Sequence, residues 1–316
     1  MSTSEDDILT CVVCGGGGDS GEKVSTSTKR CTSCAQKVRN IENKLNELGD
    51  ADDIDTTDID TLSDGFSRIV ISDDRLFADP PPKEDCSICM LPIPFSSGSM
   101  IKTEYKPCCG KTVCHGCMVA SDEEMAKGNI KKWCEMCRVP IPSNEEEYIK
   151  RVKKRMKLLD ANAFNMLGSA YANETWGLPQ DIDRALELYN QALLLGSNTA
   201  HFNLAHEYFK GEVVEQDMNK ATHHHTIAAI GGHERARDSL GMIEYLQGNM
   251  DRATKHWMIA ARAGFELSLQ KVGEGYKDGF VTKDEYASTL RAYQVSVDEM
   301  KSVQRERART IPSRNW

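Results

Sequence analysis

All twelve cysteines of this 316-residue chain fall into three clusters, and ten of them form Cys-x2-Cys pairs: Cys11/Cys14, Cys31/Cys34, Cys86/Cys89, Cys114/Cys117 and Cys134/Cys137. The other two are the adjacent Cys108 and Cys109. A Cys-x2-Cys turn aims two thiolates at one point, and a tetrahedral zinc ion takes two such turns. One set of four and one of eight therefore provide for three zinc ions with no sulfur left over. Disulfides are the competing use of so many cysteines. Residues 1–9 carry Glu5, Asp6 and Asp7 but no apolar run, and nowhere do eighteen apolar residues follow one another. The chain thus reads as lacking a secretion signal and a membrane span, which places it in the cytoplasm or nucleus. Those compartments are reducing and favour zinc thiolates over disulfides.

A hydrophobic content of 40% supports at least one real core, so the chain is not wholly disordered. The formal net charge of −9 argues against nucleic acid as a partner, because phosphate contacts need clustered Lys and Arg. The one basic run, Lys150-Arg151-Val152-Lys153-Lys154-Arg155-Met156-Lys157, has the spacing of an exposed helix face and reads as a solvated connector.

Six zones follow. Residues 9–48 hold the first four cysteines and then a helical stretch with Val38, Ile41, Leu45 and Leu48 on one face. Residues 49–82 read as an acidic disordered linker, in which Asp50, Asp52, Asp53, Asp55, Asp58, Asp60 and Asp64 repel one another and Pro80-Pro81-Pro82 forms a stiff end. Residues 83–143 contain the eight clustered cysteines, 144–159 the basic connector, 160–303 an internal repeat, and 304–316 a polar tail.

The repeat shows as Leu167-Gly168, Leu204-Ala205, Leu240-Gly241 and Val272-Gly273. Further marks are Ala185, Ala221 and Ala253, then Ala192, Ala228 and Ala260, then Gly196, Gly232 and Gly264, stepping by 36 and 32 residues. Each unit reads as two helices. Ala163, Leu167 and Ala170 share one face of the first, and Ala185, Leu188, Ala192 and Leu195 one face of the second. The glycine after each second helix suits a left-handed cap, and Asp181, Asp217 and Asp251 suit the start of each second helix. The expected fold is mainly α, with an α-solenoid carrying a concave surface. These positions resemble the Sel1-like repeat, a relative of the tetratricopeptide repeat, which implies a protein-binding scaffold over residues 160–300.

The middle spacing is Cys86-x2-Cys89-x18-Cys108-Cys109-x4-Cys114-x2-Cys117-x16-Cys134-x2-Cys137. It resembles a RING finger. The resemblance implies a cross-brace in which Cys86, Cys89, Cys114 and Cys117 hold one zinc and Cys108, Cys109, Cys134 and Cys137 a second. The histidine slot of the common RING form holds Lys111, which has no lone pair for zinc, so an all-cysteine variant is expected. His115, the substitute ligand, is expected to turn outward. The resemblance also implies a ubiquitin-conjugating enzyme as partner, contacted by Ile88, Trp133, Pro140 and Ile141. Arg138, directly after the last ligand, matches the arginine that bridges donor ubiquitin and conjugating enzyme in many active RING ligases. Glu135 stands where a proline is usual. The competing use of these residues is purely structural, with Ile88 in a mini-core, Trp133 as a lid and Arg138 as a solvated charge.

Cys11, Cys14, Cys31 and Cys34 suit a closed N-terminal zinc site, and Gly15 to Gly18 lack the Gly-Lys-Ser/Thr of a phosphate loop. His223-His224-His225 point about 100° apart on a helix and read as an exposed polar face. Tyr171, Tyr208, Tyr245 and Tyr276 read as helical core. Two functions compete. One is an E3 ubiquitin ligase whose finger recruits the charged conjugating enzyme while the solenoid holds a protein substrate and the acidic linker lets one swing toward the other. The other is a zinc-stabilised adaptor with no transfer activity.

Overall fold

The computed structural model describes residues 71–93, 102–128, 132–212 and 214–311, with residues 35, 36 and 39 besides. Cys11, Cys14, Cys31 and Cys34, the expected helix through Val38 and Leu48, and the acidic run up to residue 70 lie outside the described residues. A short helix α1 (Asp73–Leu76) leads into an eight-cysteine module built on the antiparallel hairpin β1 (Thr103–Lys106) and β2 (Lys111–Cys114), with Thr103 opposite Cys114, and on helix α2 (His115–Lys127). Helix α3 (Glu145–Met156) follows. Four helical hairpins come next: α4 (Ala161–Ala172) with α5 (Ile182–Leu194), α6 (Asn198–Lys210) with α7 (Met218–Ile230), α8 (Glu234–Leu246) with α9 (Met250–Arg262), and α10 (Glu266–Lys277) with α11 (Lys283–Glu299). A last short helix is α12 (Val303–Ala308).

The repeat landmarks are the residues that let these helices touch. Ala163, Leu167 and Ala170 of α4 and Ala185, Leu188 and Ala192 of α5 are buried, and Leu195 is half-buried against them. A Cβ on Gly168 would lie 2.9 Å from the Tyr189 ring, and one on Gly241 would collide with the Trp257 indole. In the first and third hairpins the glycine beside the landmark leucine is therefore the seat of the partner helix's aromatic ring. Gly196, Gly232 and Gly264 have φ of +91°, +93° and +91°, a turn that only glycine makes without strain. Asp181 and Asp217 accept from backbone N–H groups of the first turn as N-caps, whereas Asp251 lies within the first turn of α9 behind Asn249.

Three segments differ from their sequence reading. The basic run is not a mere connector: α3 is amphipathic, and its Tyr148, Val152 and Met156 are buried in the same core as α4 and α5, closing the first end of the solenoid while the lysines stay outside. The end of the acidic linker is ordered. Leu76 is buried against Ala228, Ala229, Ala236 and Leu240, the Arg237 guanidinium donates to the Leu76 and Ala229 carbonyls, and Asp73 pairs with Arg252 at 2.7 Å. The tail forms α12, which packs on α2 of the cysteine-rich module.

These contacts also fix the module. At one end the Tyr105 hydroxyl donates to Asp160 at 2.5 Å, and Asp160 is held by Arg155 at 2.6 Å. At the other end Lys83 donates to Ser296 at 2.8 Å. The module thus bridges both ends of the solenoid and faces its first helices. A cleft of about 600 Å³ remains between them, with Tyr105 and Thr112 on one side and Asn165, Asn203, Phe202 and Arg235 on the other. The swinging arrangement expected from the linker is replaced by a docked one.

The histidine and tyrosine readings are also corrected. His224 and His225 are buried and His223 is half-buried. Their helix is covered from both sides by α6 and α8, so a polar run sits inside: His224 Nδ1 lies 2.9 Å from His201 Nδ1, and Phe202 packs between His225 and His233. Tyr171 packs half-buried against the first core as expected and Tyr208 is half-buried, whereas Tyr245 and Tyr276 are 49% and 40% exposed. They extend the landmark face past the point where the second helix covers it.

Candidate metal centre

Two short loops of the module have the same construction. In the first, Met90 N donates to the Cys86 carbonyl at 2.9 Å and Cys86 N to the Leu91 carbonyl at 2.9 Å. In the second, Arg138 N donates to the Cys134 carbonyl at 3.0 Å and Cys134 N to the Val139 carbonyl at 2.8 Å. Each loop is closed by a two-residue bridge, Asp85 with Pro92 and Trp133 with Pro140. The residue after each second cysteine turns into the left-handed region, with φ of 55° at Met90 and 62° at Arg138. This bend brings both sulfurs of a Cys-x2-Cys pair to one side.

The remaining thiols come from the hairpin and its flanks. The β1–β2 turn carries Cys108 and Cys109, where Cys109 N and Gly110 N donate to the Lys106 carbonyl. Cys114 ends β2 and Cys117 lies in the first turn of α2. The structure gathers these eight sulfurs into two sets, Cys86, Cys89, Cys114 and Cys117 in one and Cys108, Cys109, Cys134 and Cys137 in the other, each within 4.8 Å of one another. The sets interleave along the chain, and both match the grouping implied by the resemblance.

The geometry fits a tetrahedral zinc ion. With Zn–S near 2.3 Å, ligand sulfurs stand ~3.8 Å apart; here Cys86–Cys117 is 4.0 Å, Cys89–Cys114 3.8 Å, Cys109–Cys134 3.9 Å and Cys108–Cys137 3.4 Å. Electrostatics agrees. The neighbouring Cys114 and Cys117 hold the Cys86 thiol far below its usual range, while Cys114 and Cys86 hold Cys117 far above it. In the second set a hydrogen bond from Cys108 lowers Cys134 to about 4, and burial pushes Cys109 up to about 11. Sulfurs this close ionise together only around a cation. Four protein ligands leave no open position, so such sites are structural.

The other expected site residues divide. Ile88 is 40% exposed in the first loop, with Met90 67% exposed beside it. Trp133 is half-buried and Arg138 is exposed, its guanidinium stacked 5.3 Å over the Trp133 ring. Pro140 is exposed and its carbonyl accepts from Arg151, and Ile141 is half-buried. Lys111 opens β2, and its backbone N–H lies against the Cys109 thiol of the second set. Glu135 turns inward to Lys106 at 3.3 Å and is almost wholly buried, which sequence position alone did not reveal. His115 belongs to neither set and does not point outward: it is buried, with Nε2 2.9 Å from the Ile311 carbonyl.

Comparison with known proteins agrees with the second half of the chain. The Sel1 repeat family matches residues 162–197 and 199–233. These are the hairpins α4/α5 and α6/α7, so the chain carries Sel1 repeats at the start of its helical-repeat solenoid. A search of curated proteins gives no match. Similar solved structures include a Sel1 repeat protein from Oxalobacter formigenes, 25% identical, over 48% of this chain and 64% of that one, TM-score 0.43. Another is a protective antigen of uropathogenic Escherichia coli with an SLR fold, 26% identical, over 48% of this chain and 33% of that one, TM-score 0.41. The chain therefore spans less than two thirds of either. Among the described residues no helix is long and apolar enough to cross a membrane.

Proposed function

We propose that the eight-cysteine module is a RING-type finger holding two zinc ions, and that the protein is an E3 ubiquitin ligase of the cytoplasm or nucleus. The observation that supports this reading best is the interleaving of two four-cysteine sets through a hairpin and one helix. Ile88 and Arg138 lie exposed on the two equivalent loops. In this mechanism the protein supplies no nucleophile. Ile88, Trp133, Pro140 and Ile141 seat the conjugating enzyme, and Arg138 bridges it to ubiquitin with several fixed donors, so that catalysis is restraint of the thioester. Cys11, Cys14, Cys31 and Cys34 supply a third zinc site. The Sel1 solenoid binds a protein substrate or partner, for which the amide-lined cleft facing the module is one surface.

A second reading, a zinc-stabilised adaptor, is favoured by the docking of the module on both ends of the solenoid, which suits a rigid scaffold. Ubiquitin discharge from a panel of loaded conjugating enzymes separates the two. Arg138→Ala is expected to slow discharge with zinc content unchanged, because the side chain touches no sulfur. Ile88→Ala is expected to weaken conjugating-enzyme binding by about 1–2 kcal/mol. If wild type and Arg138→Ala discharge at the same background rate with every enzyme, the adaptor reading stands.

A further inference from the structure

The last described helix reaches the first cysteine set with a buried arginine. Ser302 caps α12 by accepting from Arg305 N at 3.2 Å, and Arg305 turns into the module. Its Nη1 donates to the carbonyls of Pro92 and Met300, both at 2.8 Å. Its Nη2 donates to the Leu91 carbonyl at 3.0 Å and to Cys89 Sγ at 3.4 Å. The side chain is buried although it sits on a six-residue helix near the chain end. The approach is close because residue 116 is glycine: a Cβ there would lie 2.7 Å from the Arg305 backbone nitrogen. Arg307 adds a pair with Glu123 at 3.0 Å, and His115 reaches the Ile311 carbonyl.

The two sets differ in this respect. Zinc with four thiolates carries a net double negative charge, and a guanidinium donating to one of the sulfurs offsets part of it. Around the second set Lys106 is neutralised by Glu104 at 2.7 Å and Glu135 at 3.3 Å, and Arg151, which lines the same small cavity as Cys108 and Cys134, is engaged by Glu147 and the Pro140 carbonyl. Groups that hydrogen-bond to a metal's ligands set its retention, and their removal commonly costs 10–100-fold in affinity.

We propose that Arg305 is a positioning residue for the first metal set: through the C-terminal helix it holds Cys89 and the Leu91–Pro92 loop in place, so that this set retains zinc longer than the second. The proposal rests on the zinc reading above and adds an order of metal release. That order makes the C-terminal helix a latch on the finger.

The test follows both sets at once in the full-length, zinc-loaded protein. A chelator and N-ethylmaleimide are added, samples are quenched over time, and alkylation of each cysteine is read by peptide mass spectrometry. In wild type, Cys108, Cys109, Cys134 and Cys137 are expected to be alkylated before Cys86, Cys89, Cys114 and Cys117. Arg305→Gln is expected to speed alkylation of the first set about 10–100-fold, with the second set unchanged and Arg305→Lys intermediate. Gly116→Ala, which lifts α12 while leaving the arginine in the chain, should act in the same direction. Arg307→Ala should change neither set. First-set rates equal in wild type and Arg305→Gln, or both sets accelerated alike, overturn the proposal and leave the zinc reading intact. A wild-type protein that holds no zinc at the start overturns both.

Discussion

Removing the metal is expected to unfold residues 83–143 and to release α12, while most of the solenoid keeps its helical signal. The module buries only a small apolar cluster around Val113, Ile93 and Met118, too little to order a domain of this size without help. Structural zinc contributes on the order of 10–16 kcal/mol per ion, which replaces the missing core. The hairpin cores of the solenoid contain no cysteine, so chelation leaves them standing. The loss should nevertheless reach beyond the finger, because α12 is seated on α2 through Arg305, Arg307 and His115. Hydrogen exchange read by mass spectrometry checks this: protection in β1, β2, α2 and α12 should vanish with chelator while that of α4 to α9 persists. Unchanged protection in the hairpin β1–β2 would show that metal is not what orders the module.

Acid is expected to destabilise the solenoid steeply. Burial lowers His225 to about 4 and His233 and His256 to about 3, and holds His224 well below its usual value. The unfolded chain binds protons at these side chains near pH 6.5, whereas the folded one keeps them neutral. The stability is therefore complete above about pH 6.5 and falls as pH drops toward the folded values. Each such histidine contributes a slope approaching about 1.4 kcal/mol per pH unit, so the four together reach roughly 5 kcal/mol per unit once well below pH 6.5. Urea unfolding at pH 7.5, 6.5 and 5.5, followed by exchange of amides in α6 to α9, reads this apart from zinc loss. His225→Phe removes one buried titrating ring whose Nδ1 makes no hydrogen bond, and should flatten the slope by about a quarter. An equal slope in wild type and His225→Phe would refute the histidine explanation.

What could be read in the sequence was periodic or paired. The Leu-Gly and alanine landmarks gave the hairpins because a solenoid repeats the same close contact, and Gly168 and Gly241 show that contact directly. Cys-x2-Cys spacing pointed to paired ligands because the turn itself aims the sulfurs, while which pairs join came only from the resemblance to a RING finger. What stayed hidden depended on distant partners. A four-residue α1 and a six-residue α12 carry too few apolar positions to show a period, and each docks on elements far away in the chain. Arg237 and Arg305 look like surface cations until their buried carbonyl partners are seen. The burial of His224 and His225 is not legible locally, because helix angle limits which residues converge but does not tell which faces a solenoid helix buries. The inward turn of Glu135 is hidden in the same way, because its partner Lys106 lies 29 residues back in the chain.

Zinc K-edge X-ray absorption of the purified protein tests the central claim most directly, because every functional step rests on the all-cysteine sets. The expected result is bound zinc with a first shell of four sulfurs near 2.3 Å and no nitrogen. A nitrogen neighbour near 2.0 Å would bring His115 into the metal shell against the position it has here, and a protein without zinc would contradict the account outright.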